Sequence, residues 1–379
     1  MKKFLWHSFL FLFPFIVLLL IPLLVFWRVG ELIAVDTVIR MQKEEERLVL
    51  FGQAYTNSYL NRKYKLDSAL YRQPKIMILG TSRALGVRSV FFKNNSDFYN
   101  AGRGVTNMQD FNNFLDSFPN EKKPELIFLS LDQNFFYHNW QPDSKSNYLD
   151  TSLKSFIKYG WRMAYADYFK GRFTIKALLN RPSDVIAVGM NAWINSKGFR
   201  NDGSYYYGDV VNRPENKVED IEKSKQILNA FDATTCSKDY YGEQILPQSL
   251  DKLDFLLRRS KESNIKVVGF LSPLRSGVRE KMLSFNNTCA RSIIELPVQV
   301  KNIFTKYSYD FFDFSDIKRY GAADEEVFDA VHASEKVMAR LLIWMVKNSV
   351  YINLKDYVDV FFLEKVLKNS SNTLKIFNQ

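Results

Sequence analysis

The alternation of apolar and polar positions changes character near residue 28. Residues 4–27 (FLWHSFLFLFPFIVLLLIPLLVFW) form an unbroken apolar run without a charged side chain. This exceeds the roughly 20 residues that a helix needs to cross the hydrocarbon core of a bilayer. Pro14 and Pro22 lie inside the run, and bilayer helices tolerate proline where the freed carbonyls find partners. Lys2 and Lys3 precede it, which predicts a cytoplasmic start and an exported remainder. A cleaved signal peptide has a shorter apolar region, roughly 7 to 15 residues, with small residues at its cut site. The run is longer than that and has no A-x-A-like site, so residues 1–28 are expected to be a retained anchor with membrane contact through 4–27. Residues 29–72 are polar and periodic, and predict a helical stem.

Beyond the stem, continuous apolar runs alternate with helical patterns. KIMILG (75–80), DFYNAG (97–102), LIFLSL (126–131), KVVGFLS (266–272) and SYDFFDFS (308–315) read as strands, the first as one buried on both faces of a parallel sheet. Helical periodicity follows the second strand in NMQDFNNFLDSF, precedes the fourth in SLDKLDFLLRRSKES, and precedes the fifth over 289–306. Strands alternating with helices predict an α/β, doubly wound, mainly parallel sheet. Between 133 and 245 the alternation stops, and the aromatic clusters FFYHNW and WRMAYADYF and the turn-rich KGFRNDGSYYYG read as a helical, aromatic-rich insertion. It is either one wall of a cleft above the strand ends or a peripheral subdomain. The main domain is expected over 73–345, followed by a helical tail over 346–379.

Composition adds less. The formal net charge is +11 with basic residues scattered along the chain, which suits a surface near an anionic membrane or an acidic glycan and argues against nucleic-acid binding. The 20 Tyr, 32 Phe and 6 Trp fit a glycan-facing surface or a large core equally well. Cys236 and Cys289 are not spaced for zinc or redox chemistry, and are either one disulfide or two buried thiols. No metal or organic cofactor is expected.

Ligands of doubly wound sheets bind beyond the carboxyl ends of the strands, so the residues there carry the candidate chemistry. The first strand delivers Gly80-Thr81-Ser82-Arg83. Ser82 in that place is either a plain helix N-cap or a nucleophile, since free N–H groups and the helix dipole there also stabilise a developing oxyanion. The second strand ends in Asn100-Ala101-Gly102-Arg103-Gly104, where Gly102 is either part of an ordinary turn or a close-approaching N–H donor. Late in the chain, VFDAVHAS places Asp329 and His332 three residues apart. On one helical turn both side chains share a face, and the carboxylate can fix the imidazole tautomer for proton abstraction from a serine. The other histidines are His7, in the apolar run, and His138, in the aromatic region.

Serine after the first strand, glycine after the second and D-x-x-H near the C-terminus resemble the layout of the SGNH (GDSL-like) hydrolase superfamily over residues 75–340, excluding the insertion. The GTSR form at 80–83 and GFRNDGSYYYG at 198–208 look like the membrane-anchored branch that includes the alginate O-acetylation proteins and the DltD-like proteins. The resemblance implies a flavodoxin-like three-layer sandwich, Ser82 as nucleophile, His332 as general base and acid, and Asp329 as orienting acid. It implies oxyanion donors from the Ser82 and Gly102 N–H groups. It further implies an extracytoplasmic enzyme that transfers or removes acyl groups on a cell-surface polysaccharide, with a membrane-bound O-acyltransferase as partner. One block departs from the family: Ser130-Leu131-Asp132-Gln133-Asn134 stands where G-x-N-D is usual. Either Asn134 or Gln133 replaces the missing donor, or Asp132 stays protonated and donates, or the oxyanion hole is weaker; losing one such donor typically costs about 100- to 1,000-fold in rate. Arg83, Arg103 and Arg275 are expected to ring the same rim and to bind an acidic sugar or a carrier phosphate.

Overall fold

The computed structural model describes residues 2–55, 58–137, 160–180, 184–212, 244–284 and 288–377. Its strands, in chain order, are β1 (Val49–Phe51), β2 (Ile76–Gly80), β3 (Phe98–Gly102), β4 (Leu126–Leu131), β5 (Ile186–Val188), β6 (Lys197–Phe199), β7 (Tyr205–Tyr207), β8 (Lys266–Leu271) and β9 (Asp310–Asp313). The chain separates into two compact units. One holds the described residues within 1–59, 145–201 and 206–208. The other holds those within 60–144, 202–205 and 209–379.

The larger unit is built on a five-stranded sheet in the order β3-β2-β4-β8-β9, every neighbouring pair parallel. All five are the strands expected from the apolar runs. Every position of β2, β3 and β4 is buried, as a sheet covered on both faces requires. Register assigns the faces. Ile78, Phe128 and Phe270 point to the side covered by Met338, Leu341 and Met345 of the Glu335–Asn348 helix. Gly269 lies on the opposite side beneath Phe304 of the Thr288–Lys306 helix, where an added Cβ would come within 2.0 Å of the ring. The chain leaves β2 for β3 on one side and reaches β4 on the other, so the order reverses at β2. That is the switch point of a doubly wound sheet, beyond whose carboxyl ends ligands bind.

Two expected boundaries move. The main unit begins by residue 60, since Ala69 of the Ser58–Arg72 helix is in its core. The expected separate tail after 346 is part of it too, because Val346, Ile352, Leu354, Val358 and Leu363 are core residues.

The smaller unit corrects the expectations of a purely helical stem and a purely helical insertion. β1 lies within the stem and pairs in parallel with β5 and antiparallel with β6, in a mixed sheet of order β5-β1-β6-β7. These strands are three residues long, too short to show a period of two. The Lys2–Val29 helix is the one helix among the described residues long and apolar enough to cross a membrane. Its end packs Phe26 and Val29 into a core with Ala164, Phe173, Leu178, Met190 and Trp193. Glu31, just after it, is buried. Its carboxylate accepts the N–H groups of Ala54, Tyr55 and Met190 at 2.7–2.9 Å. Burial raises this carboxyl above the usual range, against those three hydrogen bonds. His138 and Cys236 lie outside the described residues.

Candidate active site

β2 ends at Gly80, where a Cβ would meet Ser130 Cβ at 2.6 Å, so only glycine lets the chain turn this close to β4. A single 3-10 turn, Ser82–Ala84, follows. The cap of that turn is Thr81, whose Oγ1 accepts the Arg83 N–H at 3.2 Å and donates to Asp132 Oδ2 at 2.6 Å. Ser82 is thereby free of a capping role. Its Oγ lies 2.9 Å from His332 Nε2, and His332 Nδ1 lies 2.7 Å from Asp329 Oδ2. Serine, histidine and carboxylate form one hydrogen-bonded chain, each of them half-buried.

The Asp329–His332 pair is not on a helical turn, as its spacing suggested. It lies in a tight loop closed by the Val327–Ala333 bridge and by Phe328 N–H donating to His332 O at 2.8 Å. The helix begins afterwards, capped by Ser334. In the loop, Asp329 Oδ1 accepts the N–H groups of Val331 and His332, both at 2.9 Å. Burial alone would raise this carboxyl. The hydrogen bond and charge of His332 and the two backbone N–H groups outweigh it and hold Asp329 well below the ordinary carboxylate range. It is therefore a fixed anion that orients the ring through Nδ1 and leaves Nε2 facing the serine.

The oxyanion side is sparser than the resemblance implies. Among the described residues no acceptor takes the Ser82 N–H. The Gly102 N–H, in contrast, donates to Asn100 Oδ1 at 2.8 Å. Asn100 is fully buried and uses its amide to hold the Ala84 and Val87 carbonyls at 2.9 and 2.7 Å. Asp132 is no donor either: Oδ1 accepts from Ser272 Oγ at 2.8 Å and Oδ2 from Thr81. Gln133 is occupied by Arg83 and by the Ser272 carbonyl. Asn134, on the same turn, has a half-buried side chain whose Oδ1 meets no hydrogen-bond donor among the described residues. No hydrogen bond joins it to Ser82 or His332 among the described residues.

Arg83 departs furthest from expectation. It is 6 % exposed and does not face the rim. Its Nε donates to Val331 O at 3.3 Å, Nη1 to Gln133 Oε1 at 2.8 Å, and Nη2 to the Ser272 and Pro273 carbonyls at 3.0 and 2.7 Å. Asp132 lies 3.7 Å from Nη1. A planar fork with five donors can satisfy this many acceptors, and lysine cannot reproduce it. Arg83 thus ties the turn carrying Ser82 to the ends of β4 and β8 and to the loop carrying His332. Sequence reasoning missed this because an arginine after a strand reads alike whether it faces water or carbonyls.

Arg275 is partly exposed, paired to Asp324 at 3.5 Å, and its N–H donates to Ala330 O. Arg103 is exposed, has a left-handed φ of 66°, and stacks over Tyr205 at 5.8 Å. Gly80 and Gly102 are register partners, so Arg103 follows β3 beside the turn that carries Ser82. Of the three arginines, Arg103 best keeps the expected rim position. Asp202 and Tyr205 hold the neighbouring segment in place, accepting the Ser89 N–H and donating to the Leu85 carbonyl respectively. No family model, no curated protein and no solved structure matches this chain.

Proposed function

We propose that the protein is a membrane-anchored serine acyl esterase or acyltransferase of the SGNH type, acting outside the cytoplasm on O-acyl groups of a cell-surface polysaccharide. The observation that carries this reading is the unbroken Ser82–His332–Asp329 chain at 2.9 and 2.7 Å, at the strand ends of a doubly wound sheet. Ser82 attacks an ester carbonyl while His332 Nε2 takes its proton, and the Ser82 N–H stabilises the tetrahedral oxyanion. His332 then returns the proton to the leaving alcohol, giving an acyl-serine. Water or a sugar hydroxyl takes the acyl group in the second half. Arg103 on the rim suits an acidic sugar. A membrane-bound O-acyltransferase that supplies the acyl group is part of the same proposal.

A second reading is a catalytically weak or inactive glycan-binding or assembly protein. The engaged Gly102 N–H and the acceptor role of Asp132 favour it. A fluorophosphonate probe separates the two. Labelling of the native protein that is lost in Ser82→Ala supports the enzyme. Absence of label alongside retained glycan binding rejects it. Incubation with p-nitrophenyl acetate, with and without oligosaccharide acceptors, followed by mass analysis, then distinguishes transfer from hydrolysis.

A further inference from the structure

The smaller unit carries a second apolar surface that the anchor does not account for. In the Lys2–Val29 helix no described side chain before Pro22 is buried, whereas Pro22, Phe26 and Val29 are. The lipid-accessible part is therefore about 20 residues, or about 30 Å, which is one hydrocarbon thickness. The remaining turns bury one stripe against the unit. Pro22 lacks the N–H that would otherwise bond the Leu18 carbonyl four residues back. The Tyr165 hydroxyl donates to that carbonyl. This contact sets the Trp161–Phe169 helix beside the level at which the span ends, where amphipathic aromatic side chains are favoured.

That helix, its successor Ile175–Leu179 and the segment between them bury Ala164, Leu178 and Phe173 respectively against the end of the span. They leave large apolar side chains outside: Phe169 is 80 % exposed, Leu179 68 %, Ile175 60 % and Met163 47 %. Residues 160–180 also hold four basic side chains and one acidic, Asp167, which is paired with Arg172 at 2.8 Å. Arg162, Lys170 and Lys176 are exposed. Exposed large apolar residues beside exposed cations, next to the end of a span, are the composition of a segment lying in a lipid interface.

We propose that residues 161–179 form a collar that seats on the acyl–headgroup boundary of a bilayer containing anionic lipid, around the end of the span. The collar rests on the reading of the N-terminal helix as a membrane anchor, and adds a second, peripheral contact to it. Such a contact limits how freely the smaller unit swivels about a single helix.

Photo-crosslinking of the full chain, reconstituted in phosphatidylcholine–phosphatidylglycerol vesicles, tests this. The probe is p-benzoylphenylalanine in place of Phe169, with Phe11 in the span and Glu46 in an exposed acidic segment for comparison. Lipid adducts at 169 and 11, and their loss at 46, are expected. Adducts at 11 but not at 169 overturn the collar and leave the anchor standing. A protein adduct at 169, or equal lipid yield at 46, also overturns it. Absence of adduct at 11 removes the anchor and the collar with it.

Discussion

Asp329 binds two backbone N–H groups through Oδ1 and an imidazole through Oδ2, so an amide in its place can keep the backbone pair only by turning its nitrogen towards the ring. In Asp329→Asn, an amide nitrogen facing Nδ1 favours the tautomer that leaves Nε2 unable to accept the serine proton. We expect the rate with an ester substrate to fall by about 10,000-fold, with little change in KM. The same carboxylate gives stability a defined pH dependence. Its folded pKa is depressed below the ordinary value of about 3.9, so the folded state binds its proton less readily than the unfolded chain. The stability it contributes is fully present above about pH 4 and is lost as pH falls towards the folded value. Denaturation midpoints of native protein and Asp329→Asn should therefore differ at neutral pH and converge below pH 4. Parallel curves down to acid would contradict this role for Asp329. At this scale the sequence was informative where chemistry is local. The spacing of Asp329 and His332 announced their partnership, although a bridged loop rather than a helical turn delivers it. The burial of Arg83 and the engagement of Gly102 depend on acceptors from distant segments, and no local signal revealed them.

At the scale of elements, β2 and β4 were the most legible strands, because a strand covered on both faces must be largely apolar throughout. β1, β5 and β6 were not, since three residues set no period, and β1 finds its partner β5 only across more than a hundred intervening positions. Two predictions belong here. Gly269 lies under the Phe304 ring, so Gly269→Ala should destabilise by about 1–3 kcal/mol through overpacking. Adding Phe304→Leu should recover part of that loss, and the test is a double-mutant cycle by urea denaturation. Simple additivity would mean that the loss at 269 does not arise from contact with the Phe304 ring. Arg83→Met removes one partner of a buried ion pair and leaves Asp132 with hydroxyl donors alone. The expected cost is about 3–5 kcal/mol. Because Val331 O loses its donor too, reactivity of the surviving folded protein towards fluorophosphonate should fall. Full reactivity in folded Arg83→Met would show that the His332 loop holds its position unaided.

At the scale of the whole molecule, the chain enters the smaller unit three times, first with the Lys2–Val29 helix and the stem, again within 145–201, and last with 206–208. Phe26, Val29 and Glu31 sit in or against its core, so the end of the Lys2–Val29 helix is an integral part of it. A chain beginning at residue 32 should lose this unit while keeping the five-stranded one. Limited proteolysis should then cut within 160–201 and spare 60–137. Resistance of both regions would show that the small sheet holds without the helix.

The contact between Ser82 and His332 joins residues 250 positions apart, and Arg83 draws the ends of β4 and β8 to the same place. Contacts of such sequence separation form late in folding, since the loop between them must first close. During synthesis Ser82 emerges about 250 residues before His332. Until His332 arrives, the Ser82 hydroxyl lacks this hydrogen-bond partner. On the proposed reading, chain order therefore withholds the acyl-transfer site from the nascent chain until the His332 loop docks.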